Sequence, residues 1–124
     1  MDPEARAEVE RKYQAYIAGV DAAFRQEATE PRWSSAASAA VHKVIAGDDD
    51  LRPLARGVEC RSHTCRVEIA DDGSGKLGKL LPMFAQQVGQ ELPSVLANRV
   101  ENAGDTATVV LYMSRRNATQ AMTP

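Results

Sequence analysis

The sequence predicts an α+β domain with the element order α-α-β-β-α-β-β: two N-terminal helices, then two antiparallel hairpins separated by a helix, giving an antiparallel sheet of about four strands covered on one face. Three observations carry this reading. Val9, Tyr13, Tyr16, Ile17, Val20 and Phe24 recur at three- and four-residue steps, the period of one helix face. From Val58 to Ile69 apolar and charged residues alternate around Cys60 and Cys65, the period of a half-buried strand pair. Thr106-Ala107-Thr108-Val109-Val110-Leu111-Tyr112-Met113 has the β-branched and aromatic density of a well-buried strand.

Taken in order, the first helix has Asp2 as its cap, Pro3 where a missing N–H costs nothing, and Glu4 where the helix dipole favours negative charge. It loses its pattern at Thr29-Glu30-Pro31, because the residue before proline is pushed out of the helical region. A second helix starts at Ser34 or Ser35 and runs through Ala37, Ala40, Val41, Val44 and Ile45 to Gly47. Its small residues Ser38, Ala39 and Ala40 permit close approach to the first helix, so the pair reads as an αα-hairpin with Trp33 plugging its open end. Asp48-Asp49-Asp50 lacks the alternating oxygens and closing glutamate of a calcium loop and reads as a solvated connection.

The first hairpin sets Cys60 opposite Cys65, Glu59 opposite Arg66, Val58 opposite Val67 and Arg56 opposite Ile69. One face then carries Val58, Cys60, Cys65, Val67 and Ile69. A Cys60–Cys65 disulfide in that register would pin it against a one-residue slip, which would turn the apolar face outward. The rival reading is chemical: Cys60, His63 and Cys65 are three soft ligands within six residues, with His42 as a fourth, and either metal binding or thiol chemistry would use them. Their spacing is neither the zinc-knuckle gap nor the redox Cys-x-x-Cys, so a structural disulfide is the preferred reading.

The pattern Val58-Glu59-Cys60-Arg61, then Ser62, His63 and Thr64, then Cys65-Arg66-Val67-Glu68, preceded by Glu30-Pro31-Arg32-Trp33 and an alanine-rich helix, resembles small uncharacterised exported proteins of proteobacteria that share a Cys-Arg-x3-Cys-Arg hairpin. The resemblance covers about residues 30 to 114. It implies an extracytoplasmic location and a disulfide, and it carries over no catalytic residue.

Beyond Ile69, Asp71-Asp72-Gly73-Ser74-Gly75 is a turn cluster in which Ser74 caps a third helix. Gly73-Ser74-Gly75-Lys76 lacks the leading glycine and the Ser/Thr of a phosphate-binding loop. Leu77, Leu80, Leu81, Phe84, Ala85 and Val88 form its apolar stripe, and Pro82 inside that stripe predicts a kink or break. Ala97 to Glu101 and the strand from Thr106 form the second hairpin around Asn102-Ala103-Gly104-Asp105. The boundaries are one domain, 1–114, and a flexible tail, 115–124, whose Asn117-Ala118-Thr119 triplet reads as tail polarity.

Function is bounded mainly by exclusion. A net charge of −2 gives no reason to expect nucleic acid or an anionic membrane as partner, and no apolar run approaches the roughly 20 residues a bilayer span needs. The chain shows no charged-then-apolar export signal, so either it is cytosolic or a signal was removed; with the location and disulfide that the resemblance implies it reads as periplasmic or extracellular, and as cytoplasmic if the cysteines are free. Two histidines and no serine elbow, metalloprotease or dinucleotide motif leave enzyme chemistry without its usual parts, and no cofactor is expected. The reading is a non-enzymatic exported binding or accessory domain whose partner is a protein or a small anionic ligand, contacted through Arg61, His63 and Arg66 at the hairpin tip or through arginines on an open sheet face. The alternative is a metal-binding or thiol-active protein using Cys60, His63 and Cys65.

Overall fold

Each stretch marked by its periodicity as helix or strand forms that element in a computed structural model, which describes residues 2–102, 104 and 106–115. The elements are α1 (Pro3–Gln26), α2 (Pro31–Ala46), a single 3-10 turn (Arg52–Leu54), β1 (Ala55–Cys60), β2 (Thr64–Asp71), α3 (Lys76–Val88), β3 (Ser94–Glu101) and β4 (Ala107–Ser114). The four strands form one antiparallel sheet in the order β1-β2-β4-β3. The two hairpins are thus joined through β2 and β4, and β1 and β3 are the edges.

The caps explain the helix boundaries. Asp2 accepts from the Ala5 N–H at 2.8 Å, as its position predicts. Helix α2 begins at Pro31 and not at Ser34, because Glu30 caps it with its own side chain, accepting from the Trp33 N–H at 3.2 Å, while Pro31 occupies the first helical position. Helix α3 runs unbroken through Pro82. Pro82 is exposed, so the Gly78 carbonyl that loses its partner lies on the solvent side and not in the core. Gly75, with φ of 85°, occupies the N-cap position of α3 in a left-handed conformation that favours glycine, and Ser74 Oγ accepts from the Lys76 N–H at 3.3 Å.

The larger core lies on one sheet face, where Cys65, Val67, Ile69, Val109, Leu111 and Met113 meet Ala37, Val41 and Ile45 of α2 and Leu77, Phe84 and Val88 of α3. Leu51 and Leu92, in connections, and Leu54, at the end of the 3-10 turn, close its margins. The second face is not left open. Ile17 and Phe24 of α1 pack on Val110 and Tyr112, with Val20 and Leu96 beside them. Expectations of a sheet covered on one face and of an αα-hairpin are corrected together: α1 and α2 lie on opposite faces, joined by residues 27–30. The physical reason is visible in β4, whose Val109 to Met113 are all buried, a continuous apolar run that needs cover on both sides.

Cover over the second face is partial. Residues 3–16 of α1 are exposed, including Val9, Tyr13 and Tyr16 of the apolar stripe. This half of the helix is tied to β3 by Tyr13, whose hydroxyl donates to the Ala97 carbonyl, and by the Gln14 amide, which donates to Asn98 Oδ1 at 3.4 Å.

Candidate functional site: a groove beside the disulfide-linked edge strand

Strands β1 and β2 pair as Val58↔Val67, Glu59↔Arg66 and Cys60↔Cys65, the register expected from the alternation. Cys60 and Cys65 form a disulfide across that last pair, with Cα atoms 4.0 Å apart. Towards the start of β1 the register differs from expectation. Ala55, not Arg56, opposes Ile69, because Arg56 is an extra residue in a bulge before Gly57. Its guanidinium donates to the Pro53 carbonyl at 2.7 Å.

The turn between the strands is expected to project into solvent, but the end of α1 holds it. Glu27 Oε1 accepts from the His63 N–H at 2.9 Å and the Thr64 N–H at 3.0 Å. In return Arg61 Nη1 donates to the carbonyls of Arg25 at 2.8 Å and Glu27 at 3.2 Å, and its guanidinium lies 5.0 Å from the centre of the Phe24 ring. A cation at a helix C-terminus is where the helix dipole favours it. Arg66 faces α1 as well, paired with Glu68 and with Asp21 at 3.7 Å, its guanidinium 5.9 Å from the centre of the Tyr112 ring.

This second-face network sets the ionisation of its members. The Arg25 and Tyr112 hydrogen bonds, at 2.6 and 2.7 Å, hold the Asp21 carboxyl below its ordinary value, against the opposing effect of burial. Burial and the Asp21 bond push the Tyr112 hydroxyl up. Of the three residues singled out for contact, Arg61 and Arg66 thus have their guanidinium groups engaged within the chain. The backbone of His63 is held between Glu27 and the Arg115 N–H.

The metal reading needs free sulfurs, and both are spent in the disulfide. Among the described residues no group of three or more His, Cys, Asp or Glu side chains is placed to hold a metal ion.

What the sequence did not single out is the space beside the disulfide. Ser34, Ser35, Ser38, Ala39 and His42 of α2 face Val58, Glu59 and Cys60 of β1 across an open groove of about 550 Å³. Its width follows from composition, since serine and alanine leave room that longer side chains would fill. Of Ser38, Ala39 and Ala40, expected to meet the first helix, Ser38 and Ala39 line this groove instead, because α1 lies on the far face. The available signal was the burial stripe itself: Ala37, Val41 and Ile45 point into the core, which leaves Ser35, Ser38, Ala39 and His42 on the outer side of the helix.

No family model, curated protein or solved structure matches this chain. The site therefore rests on the chain's own geometry. Among the described residues no helix is long and apolar enough to cross a membrane. The Arg115 guanidinium lies 4.7 Å from the centre of the half-buried Trp33 ring. Arg116 and the Asn117-Ala118-Thr119 triplet lie outside the described residues.

Proposed function

We propose that the protein is a non-enzymatic exported binding or accessory module, akin to the small proteobacterial proteins with a Cys-Arg-x3-Cys-Arg hairpin, and that its contact surface is the groove between α2 and β1. The observation that carries this reading is the groove's placement against an edge strand held by a disulfide. An intrachain disulfide supports an oxidising compartment, because such bonds persist there and are reduced in the cytosol. Asp21 and Asp71 are engaged in ion pairs, Asp72 in a turn and the Tyr112 hydroxyl in a hydrogen bond to Asp21, and none of the four lines the groove.

A photo-crosslinking residue introduced at Ser38, compared with one at the exposed Ala22 of α1, tests the surface in the native envelope fraction. The expected result is a discrete crosslinked product from position 38 and none from position 22. Equal labelling from both positions rules the groove out as the contact. Alkylation of intact cells before lysis tests the compartment, and the expected result is that Cys60 and Cys65 are both protected until reduced.

A further inference from the structure

We propose that the groove takes an extended peptide, which joins the sheet as a fifth strand along the free edge of β1; this rests on the groove being the contact surface and names what binds there. The argument runs through the hydrogen-bond alternation of the ladder. The Arg115 N–H donates to the His63 carbonyl at 3.0 Å, which flanks the Thr64↔Ser114 pair and makes it a pair without mutual bonds. Cys65, Val67 and Ile69 therefore exchange main-chain bonds with Met113, Leu111 and Val109 of β4. Successive residues of a strand turn to opposite neighbours, so Arg66 and Glu68 bond to Glu59 and Gly57 of β1. The Arg61 N–H, donating to the Thr64 carbonyl at 3.0 Å, agrees with this phase.

Val58 and Cys60 are thus left with N–H and C=O turned away from β2, towards the open side of the groove. Neither has a backbone hydrogen-bond partner outside the sheet among the described residues. Two donor–acceptor pairs spaced two residues apart, roughly 6.8 Å along a strand, are complementary to the main chain of another strand. That spacing identifies the occupant as extended polypeptide rather than a compact anion.

The other edge shows the contrast. By the same alternation Val95, Ala97 and Arg99 face outward from β3, where the Tyr13 hydroxyl already occupies the Ala97 carbonyl and Arg99 adds a charge. Strand β1 has its blunting device only at the far end, in the Arg56 bulge, which confines the open stretch to Val58–Cys60. The disulfide holds that stretch in its ladder before any partner arrives, which lowers the ordering cost of association. Peptide residues opposite Val58 and Cys60 would turn towards Ser35, Ser38, Ala39 and His42, a wall that suits small or hydrogen-bonding side chains. Glu59, which also lines the groove, has its carboxylate paired with Arg61 at 3.0 Å.

The probe is a phage-displayed library of random twelve-residue peptides, selected on the oxidised full chain, with the recovered peptides synthesised and titrated. The expected result is that binding slows amide exchange at Val58 and Cys60, and that Val58→Pro weakens it about tenfold or more. Val58→Pro removes an outward N–H and no β1–β2 ladder bond, which is the one kind of strand position proline tolerates; its far-ultraviolet circular dichroism and intact disulfide establish that it folds. Ser38→Trp, which fills the groove from α2, is expected to weaken binding as well. If Ser38→Trp abolishes binding while Val58→Pro binds as wild type and the amides stay unprotected, the groove stands as the contact and strand addition is overturned. Recovery of no binder, or of binders indifferent to both changes, overturns the peptide proposal and leaves the crosslinking at Ser38 to decide the groove. A dimer in sedimentation that becomes a monomer on Val58→Pro would assign the edge to a second copy of the chain and likewise overturn it.

Discussion

Glu27 and Arg61 tie the end of α1 to the β1–β2 turn from both sides, one carboxylate accepting two turn amides and one guanidinium donating to the last helix carbonyls. Nothing in the sequence marks Glu27, which is one of 17 acidic residues and lies 36 positions from His63. Arg61 was legible as important from its place beside Cys60, but its role was not, because an arginine on a turn reads as solvated until a helix end is placed against it. This also makes Arg61→Ala a poor test of partner binding, since it would release α1 as well. Asp21 carries the clearest pH consequence. Its folded pKa is held below the unfolded carboxylate value of about 3.9 by Arg25 and Tyr112, so the unfolded chain binds more protons as acid is added. The stabilisation is fully present above about pH 4 and is lost as pH falls through the folded value. Asp21→Asn is therefore expected to lower stability at neutral pH and to flatten part of the acid limb, read from urea midpoints measured between neutral pH and about pH 2. An acid limb unchanged in slope would remove Asp21 from that account.

Among the elements, the first hairpin was the most legible, because short separation lets alternation set its register. Only the Arg56 bulge escaped, since one inserted residue on an exposed edge leaves the inner pattern of Val58 and Cys60 intact. The disulfide closes a loop of just four intervening residues, so reduction is expected to cost about 2 kcal/mol on the chain-entropy model. Urea denaturation with and without reductant measures it. Because β2 is also paired along its length with β4, the reduced protein should still unfold cooperatively, and loss of a cooperative transition on reduction would show that the bond is required for the fold. Helix α2 was legible as a helix and misjudged as to its outer face. Its serines and alanines are equally compatible with a helix neighbour and with an open groove, and local pattern does not distinguish the two.

At the scale of the whole molecule, two cores share one sheet, and residues from connections help to seal the larger. Leu92 is fully buried although it lies in the connection between α3 and β3. Leu92→Ala is expected to cost about 2–5 kcal/mol, as for a leucine inside a helix, and a change below about 0.5 kcal/mol in denaturant unfolding would show that this connection does not anchor the core. By itself the sequence determined the order and type of the elements, the pairing within each hairpin and the Cys60–Cys65 register, because periodicity and short loops act between residues close along the chain. Only the tertiary structure decided that β2 joins β4, that α1 and α2 take opposite faces, and that Ser35, Ser38 and Ala39 border an open edge of β1. Those choices are made by contacts between distant residues, and an amphipathic helix satisfies its own pattern equally well on either side of a sheet.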